Sequence, residues 1–381
     1  MSCKIYMDHA ATTEMLPEVV NVMEPYLMDE YGNASTTYEM GQKSREAVEE
    51  AREKIARLLD ARPEEIFFTS GGSESDNWVV KNVAGAKKHL GKHIITSKIE
   101  HHAILRSCQY MEELGYEVTY LDVDAYGMVE PEKVIAALRE DTTLVSIMTG
   151  NNEIGTVEPI AEIGSLLRQK GVAFHTDAVQ AIGQIPISLF RLPVDYLSAS
   201  AHKFHGPKGV GFLYARKNQD LPSFIHGGSQ ESGKRAGTEN VAGIVGMAEA
   251  LSIAMHEMYE VRPRLIRLRN YFVERIRHEI PDVRLNGHPY KRLPGNVNIS
   301  IRGVDATSLL VLLEEDGICA SAGSACNTGQ TRVSHVIEAI GVPEDYAAGS
   351  VRFTMGSKTS RAEVDAVMES LKRCVRLLRQ E

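Results

Sequence analysis

Short apolar runs alternate with amphipathic helical stretches through the first 260 or so residues, and this alternation limits the fold more than any other feature of the chain. Ser44 to Leu59 carries Val48, Ala51, Ile55 and Leu58 on one side of a predicted helix. Glu65 to Thr69 reads as a strand that ends in Ser70-Gly71-Gly72-Ser73, and a helix is expected from Glu74 to about Leu90. Further strands are predicted at His93–Thr96, Glu117–Leu121, Leu144–Met148, Ala173–Thr176, Tyr196–Ala199 and Gly211–Tyr214. Strands separated by helices make a mainly parallel sheet covered by helices, so the expected class is α/β. The pattern changes near Arg262-Pro263, where a basic helix from Arg264 to Ile280 leads into strands at Asn296–Ile301 and Ser350–Phe353. These suggest a smaller α+β domain, in keeping with a 381-residue chain that exceeds what one core usually organises. The N-terminal residues pack with one of the two units; the pattern does not say which.

Composition narrows the function. Hydrophobic residues make up 43% and charged residues 24%, a globular balance, and the formal net charge of −9 argues against nucleic acid or an anionic membrane as the main target. Met1 to His9 lacks the sustained apolar stretch of a secretory signal, so the expected compartment is the cytoplasm. The most apolar long segment, Val241 to Met258, is interrupted by Glu249 and His256 and reads as a buried helix, not a membrane span. Five scattered cysteines, Cys3, Cys108, Cys319, Cys326 and Cys374, form no C-x-x-C pair and fit reduced thiols.

The densest chemical signal is Ser200-Ala201-His202-Lys203-Phe204-His205-Gly206-Pro207. A lysine directly after an apolar strand, among small and hydrogen-bonding residues, suits an imine-forming amine that must be held still and partly desolvated. Alone, Lys203 reads better as a surface lysine in a glycine-rich loop, and His202 with His205 lacks a further ligand at recognisable metal-site spacing. Asp177 ends the predicted strand Ala173–Thr176, where it could hold a pyridinium nitrogen or simply cap the next helix. The strand-to-helix turn Thr69 to Asn77 offers backbone N–H groups to a phosphate, although it has neither Walker nor G-x-G-x-x-G spacing. A capped helix with glycine in its turn explains that segment as well.

In combination these segments are more specific. Asp8-His9-Ala10-Ala11-Thr12-Thr13, Gly32-Asn33-Ala34-Ser35, Thr69-Ser70-Gly71, Glu100-His101, Asn151-Asn152-Glu153-Ile154-Gly155, Asp177-Ala178-Val179-Gln180, Ser200 to Lys203, Arg235-Ala236-Gly237-Thr238 and Ser324-Ala325-Cys326 resemble the cysteine desulfurases of the NifS/IscS type. The resemblance spans nearly the whole chain. It implies pyridoxal 5'-phosphate (PLP) fold type I, aspartate-aminotransferase-like, with a large domain over residues 15–260 and a small domain over 1–14 and 261–381 that carries the cysteine loop. By position, Lys203 would bear the imine link to the cofactor, Asp177 would face the pyridine nitrogen and His101 would stack on the ring. Asn152 and Gln180 would bond the phenolic oxygen side. Gly72, Ser73, Ser200 and His202 would hold the phosphate, joined by Thr238 from a second subunit, which implies a homodimer.

Cys326 decides the reaction. It stands in a run of small polar residues, Ala320 to Gln330, that suits an accessible thiol more than a core position. The resemblance implies that L-cysteine yields L-alanine and a Cys326 persulfide, with Lys203 moving the α-proton and His101 serving the sulfur. Arg352, with Asn33 assisting, would grip the substrate carboxylate, since its planar fork matches two carboxylate oxygens. No resident metal is implied, although Cys326 has the chemistry to ligate an iron–sulfur cluster transiently. The persulfide would pass to an iron–sulfur scaffold of the IscU/NifU type or another sulfur acceptor. Departures from the family occur at Ala34, Tyr38 and Ser73, where relatives often have proline, histidine and threonine. Gln330 to His335 also departs from a common Leu-Glu-Pro-Ser, and the chain ends at Glu381 without the longer tail of some relatives. These changes leave the chemistry in place and the acceptor open. Two other readings stand beside it: another PLP enzyme, such as a selenocysteine lyase or an aminotransferase, the latter with no need for Cys326, and a noncatalytic iron–sulfur carrier, which would not need Lys203.

Overall fold

The computed structural model describes residues 5–322 and 333–380. Its twelve described strands run in chain order as β1 (Ile5–Tyr6), β2 (Ile66–Thr69), β3 (His93–Ser97), β4 (Glu117–Leu121), β5 (Thr142–Ser146), β6 (Ala173–Asp177), β7 (Tyr196–Ser200), β8 (Gly211–Ala215), β9 (Val283–Asn286), β10 (Asn296–Ile301), β11 (Ile318–Cys319) and β12 (Ser350–Thr354). Seven of them form one sheet in the order β2-β8-β7-β6-β5-β3-β4. Within it β8 runs antiparallel to both neighbours and the pairings from β7 across to β4 are parallel. Strands β2, β3 and β5 to β8 are buried along their whole length, as expected of a sheet with helices on both faces.

A second sheet, β12-β10-β9, is antiparallel and has its own core of Phe272, Val297, Ile299, Phe353, Leu371 and neighbouring side chains. The first described residues pack beside it: β1 pairs in parallel with β11 as a separate two-stranded sheet, and Met7 is fully buried in the second core.

Several element bounds differ from the sequence expectation, and three of the differences have a physical reason in view. β5 begins two residues before Leu144, because the hydroxyl of Thr142 meets Nδ1 of the buried His93 at 2.8 Å and Thr143 donates to the His93 carbonyl at 3.2 Å. Polar residues satisfied inside the sheet escape an apolar pattern. The helix after β2 starts at Gly72 and passes through a wider π-turn at Trp78–Val83 before ending at Ala86. The stretches 241–258 and 264–280, predicted apart, are one helix, Val241–Glu279, with Pro263 inside it. Interior proline costs about 3 kcal/mol. Burial on both sides of it offsets this, with Ile244, Met247 and Leu251 in the first core and Leu265, Leu268, Phe272 and Ile276 in the second.

Candidate active site

The C-terminal ends of the parallel strands open on a chamber of about 550 Å³. Ligands of open parallel sheets bind at this end, where backbone groups and helix starts are left unpaired by the sheet. β2 delivers the Ser70-Gly71-Gly72-Ser73 turn, β6 delivers Asp177, and β7 delivers Ser200, His202 and Lys203. His101 and Asn152 reach the same space from the turns after β3 and β5, and Arg352 enters from β12 of the second sheet. Of the residues singled out in the sequence, Gly72, Ser73, His101, Asn152, Asp177, Gln180, Ser200, His202, Lys203 and Arg352 all line this one chamber. Asn33 and Thr238 are exposed and stand outside its walls. Cys326 lies outside the described residues.

Lys203 is held by backbone. Its Nζ donates to the carbonyls of Ala10 and Ala11 at 2.6 and 2.8 Å, and Gln180 Nε2 donates to the Ala10 carbonyl at 2.9 Å. The N-terminal segment is itself fixed by Thr13, whose N–H and hydroxyl both donate to the His202 carbonyl, and by Thr12 Oγ1, 3.1 Å from His202 Nδ1. Asp177 accepts the Val179 N–H at 2.8 Å, but burial pushes its carboxyl up to about 6, with that N–H and the charge of Lys203 acting in the opposite direction. Burial lowers His101 to about 4, helped by Lys203 and the neighbouring His102 and His335, so its imidazole is neutral at pH 7. Its Nδ1 accepts the Ala103 N–H at 3.1 Å, which leaves Nε2 to carry the ring proton. His202 is lowered to about 4 for the same first reason.

The glycine turn is shaped by contact. A Cβ on Gly72 would come 2.5 Å from Val179 Cγ2, and Gly71 has φ 148°, so neither position takes a side chain without rearrangement. The turn leads into a helix whose first N–H groups have no intrahelical acceptor, with the Ser200 hydroxyl beside them. The neighbouring Glu74 is neutralised by Arg235, whose Nε and Nη2 meet its carboxylate at 2.8 and 3.0 Å. At the far wall Arg352, 3% exposed, donates to Asp8 Oδ1 at 2.8 Å and to the Asn152 carbonyl at 2.9 Å.

Across residues 5–367 the sequence matches the aminotransferase class-V family. The chain belongs to that family. Within the class-V aminotransferases it is of the NifS/IscS cysteine desulfurase type. A cysteine desulfurase IscS of Dictyoglomus turgidum is 49% identical over 379 residues, which is 100% of this chain and 96% of the relative. One from Methanosarcina thermophila is 49% identical over 375 residues, 98% of this chain and 93% of the relative. A solved NifS-like protein superposes with a TM-score of 0.92 at 38% identity, covering 98% of this chain and 99% of the other. The fold is therefore PLP fold type I, as the resemblance implied.

The chamber fits the family's cofactor. It offers hydrogen-bond donors at the glycine turn for a phosphate, an amine at Lys203, and at the opposite end a buried carboxyl at Asp177. Close to Asp177, Asp76 Oδ1 and Glu100 Oε2 are buried with no hydrogen-bond partner among the described residues, a sign that this end of the chamber is built for a donor. Sequence reasoning missed five participants: Asp8 as the partner of Arg352, the carbonyls of Ala10 and Ala11, and the buried acids Asp76 and Glu100. Asp8, Ala10, Ala11 and Glu100 stood in the segments that carried the resemblance, but nothing in the residue types of Asp8, Ala10 and Ala11 foretold contacts with Arg352 and Lys203 some 190 to 345 positions away.

Proposed function

We propose that this chain is a PLP-dependent cysteine desulfurase that takes the sulfur of L-cysteine, releases L-alanine and leaves a persulfide on Cys326, supplying sulfur for iron–sulfur clusters or other thio-cofactors. The observation that carries the reading is the convergence of Lys203, Asp177, His101 and Arg352 on one chamber whose glycine turn is free to receive a phosphate. Lys203 would anchor the cofactor covalently, and Asp177 would face its ring nitrogen under His101. Gln180 and Asn152 would meet the phenolic oxygen side. Gly72, Ser73, Ser200 and His202 would hold the phosphate, completed by Thr238 from a second copy in a homodimer. When bound, the cofactor supplies an electron sink for the charge left at the substrate α-carbon.

The protein's own groups do the rest. Arg352 presents its guanidinium to the substrate carboxylate while Asp8 fixes the other side of the fork, and Asn33 assists. Lys203, once free, is the base at the α-carbon, already aimed by the Ala10 and Ala11 carbonyls. Neutral His101 carries its proton on Nε2, from which it can lend a proton to the substrate sulfur and take one back. The Cys326 thiolate then forms an S–S bond to the substrate sulfur as the Cβ–S bond breaks, and the electron pair left on carbon takes a proton to give alanine. The sulfane sulfur moves on to a scaffold of the IscU/NifU type or another acceptor thiol.

The test is direct. Purified protein is incubated with L-cysteine, alanine and enzyme-bound sulfane sulfur are quantified, and the measurement is repeated with Cys326→Ala. Loss of both products in the variant is expected. Undiminished alanine formation without Cys326 would mean that the thiol is not the sulfur acceptor.

A further inference from the structure

Three carboxyl groups meet at the inner end of the chamber, and the reaction as derived uses one. Asp76, Glu100 and Asp177 are respectively 1%, 0% and 5% exposed, and all three line the cavity. Ligand atoms of Asp76, His101 and Asp177 lie within 4.8 Å of one another. Two ionised carboxylates so close and so dry repel strongly, and a single proton relieves the strain.

The surroundings say which acid keeps that proton. Asp177 accepts the Val179 N–H at 2.8 Å and feels the charge of Lys203. Among the described residues Asp76 is bonded through the Ser198 hydroxyl, and its Oδ1 has no hydrogen-bond partner. The groups that face it are Asp177 and His175 from β6, Ser198 from β7, and Glu100 and His101 from the turn after β3. His175 stands 3.7 Å from Asp76 Oδ1, yet its two ring nitrogens are taken by the hydroxyls of Ser146 at 2.8 Å and Ser198 at 2.9 Å. Burial lowers His175 to about 3, so it brings no positive charge. Burial raises Glu100 to about 8, and it raises Asp76 as well, reinforced by the charge of Asp177.

We propose that Asp76 is a positioning residue that stays protonated beside Asp177, confining the single negative charge of the pair to the carboxylate that the site turns towards a cationic ring N–H. The functional half of this rests on the cofactor reading above, while the protonation can be tested without it. A doubly ionised pair would draw its own proton from solvent and blunt Asp177; a wholly neutral pair would have no charge to offer.

The test compares wild type with Asp76→Asn, an amide of nearly equal size that cannot ionise. The full chain, stripped of cofactor, is unfolded in urea between pH 5 and 8 and followed by fluorescence of Trp78, the single tryptophan, fully buried two residues along the same helix. Asp76 has a raised pKa in the folded state, so its stabilising contribution is complete below the unfolded value of about 4 and is lost as pH rises. Wild-type folding constants should therefore fall with pH by about tenfold per unit more steeply than those of the variant. After reconstitution at pH 7 the variant should bind PLP within a few-fold of wild type, whereas Asp76→Ala should not. Asp76→Ser serves as a second neutral variant in the unfolding series. Parallel pH slopes would overturn the proposal, and so would a tenfold or greater loss of cofactor affinity in Asp76→Asn at pH 7. Failure of both neutral variants to fold at every pH would also overturn it, since a neutral acid tolerates a neutral replacement. If the cofactor reading itself is wrong, wild type binds no PLP while the difference in slopes remains.

Discussion

Replacing Glu231 by alanine should destabilise the protein by about 3–5 kcal/mol, because it strands a buried guanidinium. Glu231 and Arg52 have side chains 4% and 11% exposed and meet through two bonds of 2.9 Å, while Glu231 Oε2 also accepts the Phe68 N–H at 2.9 Å. Arg52 donates in addition to the Ile66 carbonyl at 2.7 Å and lies 4.5 Å over the Phe68 ring. The pair thus fastens a turn in which Glu231 and Ser232 both have positive φ, 47° and 57°, to the edge strand β2. Without Glu231 the charge of Arg52 keeps only the exposed end of Glu49. With both residues changed to leucine, no charge is buried and the cost falls to the loss of partners for Phe68 N–H and Ile66 C=O, about 1–3 kcal/mol. The cycle of Glu231→Leu, Arg52→Leu and the double leucine variant, in which each single change strands a buried charge, should therefore give a coupling of at least about 2 kcal/mol when read from urea midpoints. A Glu231→Ala cost below about 1 kcal/mol, or additive single and double costs, would show that the pair is not fixed as described. Because Arg235 on the same segment neutralises Glu74 beside the phosphate turn, the single variant should also bind PLP less tightly.

Gly72→Ala places a methyl 2.5 Å from Val179 Cγ2, and an overpacking cost of about 1–3 kcal/mol should appear as a tenfold or greater loss of PLP affinity in equilibrium reconstitution; unchanged affinity would remove the turn from the phosphate site. PLP affinity should fall as pH drops through about 6, since protonated Asp177 loses the charge that a ring N–H requires, and quenching of Trp78 can follow this. Arg352→Lys keeps the charge but loses the bidentate fork, so KM for cysteine should rise about tenfold or more, with retention of the cofactor absorbance band separating substrate from cofactor effects. His101, already neutral at pH 7, should contribute no titration to kcat/KM between pH 6 and 8, and a step there that disappears in His101→Gln would contradict its burial.

The parallel sheet was legible because its strands are apolar and its helices amphipathic, and Glu117–Leu121 and Asn296–Ile301 coincide with the predicted ranges to the residue. What escaped was polar or long-range. Thr142 and Thr143 extend β5 through side-chain bonds to His93, which a hydropathy pattern does not record. Pro263 read as a break because local propensity disfavours it, whereas burial against two cores carries the helix through. In the site, strand-end position and residue type singled out Lys203 and Asp177 without separating them from a surface lysine and a helix cap, and only the resemblance named their roles. Asp76, equally buried, was passed over as a helix residue, since only the assembled sheet brings it to within 4.8 Å of Asp177.

The chamber also depends on an order of assembly. Its reactive amine is held by the carbonyls of Ala10 and Ala11, and those carbonyls are placed by partners from both cores. On one side Thr13 bonds the His202 carbonyl; on the other Met7 donates to the Cys319 carbonyl and accepts from the Thr354 N–H. Asp8 then meets Arg352 across 344 positions of sequence. The N-terminal strand can take this path only after the seven-stranded and three-stranded sheets have formed and met, because neither alone supplies all its partners. Closing such distant contacts is entropically late in folding. The position of Lys203 therefore reports on the seam between the two cores, and a substitution at that seam can reach the amine through residues 7–13 without touching any group that binds cofactor or substrate.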